Sequence, residues 1–138
     1  MKKKDRNNCL NCGAECKRHG KIYCSNKCQG EYMLKQYFEE VEKTGDLGKR
    51  AQHSARRAKK YLLNKYGHRC QICGTETWNG EPVPLVFDHI DGKATNTKVE
   101  NCRLICPNCD RQLPTWGSRN TGNGRKSLGV YKVYIRKK

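Results

Sequence analysis

The spacing of apolar residues predicts a few short elements in this 138-residue chain. Apolar side chains recur near every 3.6 positions over residues 29–43, which predicts an amphipathic helix. Residues 49–66 place a thin alanine and leucine seam against many basic residues and predict a second, basic helix. Between them, GDLG at 45–48 predicts a hinge, because glycine interrupts helical and strand patterns.

Downstream, the apolar run VPLVF at 83–87 predicts a strand that ends at Asp88 and His89. Residues 103–105 predict a second short strand, and Pro107 suits the first turn of a helix that carries Asp110. The order is therefore strand, loop, strand, helix. The predicted organisation is an N-terminal ribbon and helix, a basic helical linker, a catalytic module and a basic tail with a weak strand, over 1–44, 45–66, 67–121 and 122–138.

Composition changes this picture by limiting the core. Hydrophobic residues are 35% of the chain, and there are 10 cysteines. Small domains with little apolar material commonly depend on metals or disulfides. No apolar stretch near the start resembles a signal peptide, and no apolar run is long enough to cross a membrane. We therefore expect a reducing cytoplasm, where paired cysteines hold zinc rather than form disulfides.

Two cysteine groups predict two structural zinc ions. The stronger set joins two C-x-x-C pairs, Cys70/Cys73 and Cys106/Cys109. A closed four-cysteine site has no catalytic role, so it would fix both ends of the intervening segment. The other set forms a zinc ribbon and leaves Cys16 and His19 as competing ligands; its predicted ligands are Cys9, Cys12, Cys24 and Cys28, with Ser25 as a helix N-cap.

The formal charge of +16 points to nucleic acid as the partner. Residues 1–69 hold 18 Lys/Arg against 7 Asp/Glu, so the excess is densest upstream. A solvated helix face, or a merely basic protein of ribosomal type, is the alternative explanation. The candidate DNA contacts are Arg50, Arg56, Arg57, Lys59, Lys60, Arg111, Arg119 and Arg125.

Candidate chemistry lies between the C-x-x-C pairs, in DHIDGKATNTKVENCRLICPNCD. Asp88 and His89 open this stretch, Asn101 lies in its middle, and Asp110 follows the last cysteine. A histidine between two carboxylates, inside a zinc frame, is what a metal-dependent phosphodiesterase requires. Each residue alone also has an ordinary structural explanation, such as a turn, a helix terminus or a core histidine.

DHIDG, ENCRLICPNC and QLPTWGSRN resemble, in order and spacing, the HNH endonucleases, and most of all the small phage-encoded members, many of them homing endonucleases. The resemblance covers about residues 68–121 and implies a ββα-metal module within a small zinc-stabilised α+β fold. It implies that Asp88 and Asp110 bind the catalytic metal, that His89 is the general base, and that Asn101 holds the loop that orients it. The family's final histidine falls at Asp110, which gives an H-N-D variant. Cys102 replaces a usually aliphatic residue, so we expect it in the core.

The resemblance implies hydrolysis of phosphodiester bonds, by nicking or cleaving double-stranded DNA in the cytoplasm of a bacterial host. Two carboxylates favour magnesium or manganese as the catalytic ion. We expect a monomer, with a dimer as the alternative, and no membrane partner. Two other functions stay open: a non-catalytic zinc-binding protein that binds nucleic acid, and an RNA-directed nuclease with the same site.

Overall fold

A computed structural model of the chain describes residues 6–48 and 55–123. The chain divides into two units, Met1–Lys43 and Thr44–Lys138. Two predicted DNA contacts, Arg50 and Arg125, lie outside the described residues, as does the predicted C-terminal strand. Among the helices of the described ranges, none combines the length and apolar composition that a membrane crossing requires.

The first unit is a cysteine-bearing loop region followed by one long helix. An antiparallel bridge joins Asn8 to Glu15, and the Gly13 amide donates to the Cys9 carbonyl to close the turn between them. Helix α1 spans Asn26–Thr44 and so begins earlier than residue 29. The Cys28 amide donates to Ser25 Oγ at 3.2 Å, which confirms the predicted N-cap.

The second unit contains short strands and helices in a small α+β arrangement, as predicted. Two antiparallel pairs form, β1 with β2 and β3 with β4. The Asn79–Gly80 pair, with positive φ angles of 51° and 82°, makes the turn of the first hairpin. The elements are helix α2 (Arg56–Tyr66), strands β1 (Thr77–Trp78), β2 (Glu81–Pro82), β3 (Val86–His89) and β4 (Cys102–Ile105), helix α3 (Pro107–Gln112), and 3₁₀ turns at Val99–Asn101 and Gly117–Asn120.

The β3–β4 pair differs from its predicted bounds in one instructive way. Strand β3 begins at Val86 rather than at residue 83, and it ends with Asp88 and His89 as predicted. Pro84 has no amide hydrogen to donate, so regular pairing starts after it. In register, Asp88 lies opposite Arg103, and His89 lies opposite Cys102.

The core of the second unit lies between α2 and β4. Ala58, Tyr61 and Leu62 of α2 are buried, as are Leu104 and Ile105 of β4, and these two elements are in contact. Helix α3 contacts β3. The core therefore fixes β4 and, through the pairing of the two strands, β3 with Asp88 and His89.

The GDLG segment, predicted as a hinge, is anchored to the second unit. Leu47 is fully buried, and its amide donates to the Thr97 carbonyl at 2.8 Å. The buried Thr97 hydroxyl donates in turn to Asp46 Oδ1 at 2.7 Å. Asp46 also forms an antiparallel bridge with Lys98. These bonds tie the segment to the loop between β3 and β4.

Candidate active site and zinc sites

Four sulfur atoms converge at each of the two predicted zinc sites. In each group, all the Sγ atoms lie within 4.8 Å of one another. The first group, which we call the ribbon tetrad, lies in the first unit; the second, the knuckle tetrad, lies in the second unit. Their members are Cys9, Cys12, Cys24 and Cys28, and Cys70, Cys73, Cys106 and Cys109.

The sulfur spacing fits a tetrahedral zinc ion. Zinc–sulfur bonds of about 2.3 Å place the corners of a tetrahedron about 3.8 Å apart. The Sγ atoms of Cys73 and Cys106 are 3.8 Å apart, and Cys24 lies 3.6 Å from Cys12 and 3.4 Å from Cys28. Each tetrad could therefore hold one zinc ion.

The cysteines of the knuckle tetrad also lie close enough to shift one another's pKa. Hydrogen bonds from the Thr75 hydroxyl and amide lower the pKa of Cys73 to about 6. Burial and the neighbouring cysteine sulfurs raise the pKa of Cys109 to about 12. A thiolate at one position thus disfavours a thiolate at the next, which is the repulsion that a bound dication removes.

Two further cysteines belong to neither tetrad. Cys16 is fully buried in the first unit but is not part of the ribbon tetrad, although the sequence left it as a competing ligand. Cys102 is buried on β4, as expected of a core residue. Burial raises the pKa of Cys102 to about 12, so it is a neutral thiol at physiological pH.

Asp88 and His89 lie at an open cleft of about 240 Å³ in the second unit. His89 is half-buried and packs edge-on against Phe87, with ring centroids 5.1 Å apart. This contact restricts the plane of the imidazole ring. The other residues that line the cleft come from the loop after β3 and from the segment after α3: Gly92, Ala94, Thr115, Asn120 and Asn123.

Asp88 is held by an ion pair that the sequence did not indicate. Arg103 Nε donates to Asp88 Oδ2 at 2.7 Å, across the antiparallel pair. The two side chains are only 20% and 10% exposed, respectively. The pair therefore fixes one carboxylate oxygen of Asp88 from the side of β4.

Asp110 lies close to Asp88, although it is not among the residues that line the cleft. Burial raises the pKa of Asp110, and the negative charge of Asp88 raises it further, against a smaller opposing effect of Arg111. The charges of Asp88 and Asp110 therefore interact, and binding of one metal ion by both stays a prediction. A bound cation would relieve this repulsion.

Asn101 organises the loop that follows His89. Its Nδ2 donates to Asp91 Oδ1 and to the Asn96 carbonyl, both at 2.9 Å, and its Oδ1 accepts from the Asp91 amide at 3.1 Å. Its backbone carbonyl accepts from the Ile90 amide at 2.8 Å. The residues that directly follow His89 are therefore held against the start of β4.

Asp91 and Asn120 also take part in this arrangement, although they were not among the predicted site residues. Burial alone would raise the pKa of Asp91, but donors from Asn96, the Lys93 amide and Asn101 outweigh it and lower the pKa. Asn120 Nδ2 donates to the Gly92 carbonyl at 2.7 Å. A Cβ at Gly92 would lie 2.7 Å from both Asn120 Oδ1 and Thr115 Cγ2, and φ there is +72°. Only glycine fits this close approach.

The described basic side chains differ in their contacts and in their exposure. The Lys59 ammonium donates to the Leu85 carbonyl, and Arg119 Nη1 donates to the Leu113 carbonyl at 3.1 Å. Arg111 lies over the Trp116 ring, 5.4 Å from its centroid, and is exposed. On α2, Arg56 and Lys60 are exposed and Arg57 is half-buried. DNA contact by these residues stays a prediction.

We expect Asn101→Ala to lower the free energy of unfolding of the second unit by about 1 to 3 kcal/mol, since three side-chain hydrogen bonds are lost, one of them to a carboxylate. The pKa of Asp91 is lower in the folded protein than in the unfolded chain. The stability that the Asp91 carboxylate adds through these bonds is therefore present above the unfolded pKa and is lost as pH falls through the folded pKa. Denaturant unfolding at several pH values measures both effects. Asn108→Ala, an exposed site on α3, is the matched control and should change stability by under about 0.5 kcal/mol. If Asn101→Ala lowered stability by the same amount at every pH, the bond from Asn101 to the Asp91 carboxylate would not be the cause.

Comparison with known proteins finds one similar sequence. Over 71 residues the chain is 38% identical to the H-N-H endonuclease F-TflIV of Escherichia phage T5. The chain is similar to a phage H-N-H endonuclease. The matched region covers 50% of this chain and 31% of that protein, so the chain spans about a third of its relative's length. No family model matches the chain, and no solved structure does. The match supports the predicted HNH endonuclease family; the H-N-D variant and the N-terminal zinc finger stay predictions.

Proposed function

We propose that this chain is a metal-dependent DNA endonuclease that hydrolyses phosphodiester bonds in duplex DNA, of the phage homing type. The observation that supports this most is that the adjacent residues Asp88 and His89 line one open cleft, with Asp110 near enough to Asp88 for their charges to interact. The similarity to a phage endonuclease agrees with it. The exposed Arg56, Lys60 and Arg111 are the proposed contacts to DNA phosphates.

The two carboxylates fit magnesium or manganese. Both ions prefer oxygen ligands. Burial, and after it the negative charge of Asp88, raise the pKa of Asp110, and a bound cation would offset both effects. Arg103 fixes Asp88 Oδ2, which leaves the other oxygen of Asp88 for the ion. When bound, the ion supplies charge neutralisation at the phosphate and at the departing 3′ oxygen.

His89 is the proposed general base. A histidine ordinarily titrates near pH 6.5, so a neutral ring that accepts a proton is available at physiological pH. The ring would take a proton from the water that attacks phosphorus in line with the leaving oxygen. Phe87 limits the ring's rotation, and the Asn101 network limits movement of the loop after it. Asp88 and Asp110 keep a negative site beside this base.

A non-catalytic zinc-binding protein that binds nucleic acid is the second candidate. What favours it is Asp110 in the place where the family has a histidine, together with the ion pair that already satisfies one oxygen of Asp88. An RNA-directed nuclease would keep the same side chains. Relaxation of a supercoiled plasmid in magnesium, with EDTA and a structured RNA as parallel arms, separates the three. We expect nicked or linear DNA in magnesium alone, and intact RNA; a bound but uncut plasmid would overturn the proposal.

We expect Asp88→Asn and Asp110→Asn each to reduce cleavage about 10²-fold or more, because several kcal/mol of charge stabilisation depends on the ion they hold. Binding of Mn²⁺, followed by electron paramagnetic resonance on zinc-loaded protein, should weaken in both variants. Glu100→Gln removes the charge of an exposed carboxylate in the same unit and is the control. It should keep both DNA cleavage and Mn²⁺ binding. Unchanged Mn²⁺ affinity in both aspartate variants would remove them from the metal site.

A further inference from the structure

The first unit contains a second cleft, distinct from the candidate active site. It has a volume of about 550 Å³ and lies beside the ribbon tetrad, between the loop at 17–23 and the start of α1. Its lining includes Lys17, Arg18 and Lys21, with Tyr23, Asn26 and Gln29, and has no carboxylate. The three cations are exposed. We call this the ribbon cleft.

The carboxylates nearest in sequence are engaged elsewhere. Glu15 pairs with Arg6 at 3.4 Å. Glu31 pairs with Lys27 at 4.0 Å and accepts from Asn11 Nδ2 at 2.9 Å. Within residues 6–48 and 55–123, no ion pair involves the cations of the ribbon cleft. Their charge is therefore available to an external anion.

The loop that carries these cations is held in place by the rest of the ribbon. Asn7 Nδ2 donates to the Lys21 carbonyl at 3.3 Å, and the Leu10 amide donates to the Ile22 carbonyl at 3.0 Å. Cys24, a member of the ribbon tetrad, follows directly. A ligand would thus meet a largely preformed surface, which lowers the entropy cost of binding.

Charge is distributed unevenly along the first unit. Residues 6–30 contain five Lys/Arg and one Glu, whereas residues 31–43 contain two Lys and four Glu. A zinc ion with four thiolates adds a net charge of about −2 at the ribbon, which stays positive. The ribbon end therefore attracts a polyanion, and the far end of α1 repels it.

We propose that the ribbon cleft binds the phosphodiester backbone of duplex DNA, as a contact separate from the site of cleavage. The inference rests on the proposed function, which makes DNA the substrate. Two or three lysine and arginine side chains reach adjacent phosphates there, while the side-chain amide groups of Asn26 and Gln29 can donate to phosphate oxygens. Such a contact adds affinity and no base specificity.

The test is the salt dependence of duplex binding by the full chain, measured without magnesium so that cleavage does not interfere. Lys17→Gln/Lys21→Gln should reduce the slope of log affinity against log salt by about two units, since each phosphate contact contributes about 0.9. The matched control is Lys35→Gln/Lys43→Gln, which removes the same charge from α1 outside the cleft. It should leave the slope nearly unchanged, and Lys17→Arg/Lys21→Arg should retain it.

Equal slopes in the cleft variant and the wild type would overturn the proposal, as would equal losses in the cleft variant and the control. Zinc content and circular dichroism verify that all variants are folded. Plasmid cleavage in magnesium distinguishes this failure from that of the proposed function. A wild type that cuts DNA while the cleft variant keeps its slope refutes the ribbon cleft alone. A wild type that binds with the expected slope differences but never cuts refutes the nuclease and keeps the cleft.

Discussion

Replacing His89 with alanine should reduce the rate of DNA cleavage by about 10² to 10⁴-fold, the usual contribution of a positioned general base. The side chain lies at the active-site cleft, and its ring packs on Phe87 rather than within the main core. We therefore expect zinc content, Mn²⁺ binding and DNA affinity to stay close to those of the wild type. Single-turnover cleavage of a duplex, with enzyme in excess, measures the chemical step directly.

His19→Ala is the matched control for this substitution. His19 is an exposed histidine in the first unit and does not line the cleft that contains His89. It should cleave at the wild-type rate. A His89→Ala protein that is folded, binds Mn²⁺ and cleaves DNA at an unchanged rate would remove His89 from the mechanism.

Replacing Cys106 with serine should unfold the second unit and abolish cleavage with it. Structural zinc contributes about 10 to 16 kcal/mol in small zinc-binding peptides, which is as large as the total stability of a typical domain, about 5 to 15 kcal/mol. Two hydrogen bonds join Gln71, which lies between Cys70 and Cys73, to Leu104 of β4. The Leu104 amide donates to Gln71 Oε1 at 2.6 Å, and the Gln71 amide donates to the Leu104 carbonyl at 2.9 Å. Loss of zinc therefore releases the strand that pairs with Asp88 and His89.

The chain provides its own controls for this experiment. Cys102→Ala and Cys16→Ala remove buried thiols that belong to neither tetrad. Both should keep two zinc ions per chain, whereas Cys106→Ser and Cys12→Ser should each lose one. Zinc measured by mass spectrometry under native conditions, together with circular dichroism, gives the answer. One zinc in Cys16→Ala would make Cys16 a ligand and correct the ribbon tetrad.

The sequence predicted the elements and sites that depend on local spacing. C-x-x-C pairs bring sulfurs together through their own turns, so the tetrads could be assigned before the structure. Apolar periodicity found α1, and Pro107 located the start of α3. The β1–β2 hairpin was missed although Asn79–Gly80 is a turn signal, because two-residue strands leave almost no alternating pattern.

Contacts between distant segments could not be predicted in the same way. The Arg103–Asp88 pair depends on the register of β3 and β4, and a shift of one residue would separate them. The Asn120–Gly92 bond joins residues 28 positions apart, and no pattern in the sequence marks it. Lys59 and Arg119 were assigned to DNA by charge alone, whereas their nitrogen atoms donate to backbone carbonyls. Charge along a sequence does not show which basic side chains bond to the backbone.

Isotope labelling of the products tests whether the cleft beside His89 hydrolyses phosphodiester bonds. A duplex is cleaved in magnesium and H₂¹⁸O by the wild type and by His89→Ala, and the new ends are analysed by mass spectrometry. We expect 3′-hydroxyl and 5′-phosphate ends, with one ¹⁸O in each new 5′-phosphate for the wild type, and a cleavage rate lower by about 10²-fold or more in the variant. Duplex that is bound but left intact in every divalent metal, or ends formed equally by both proteins, would contradict it.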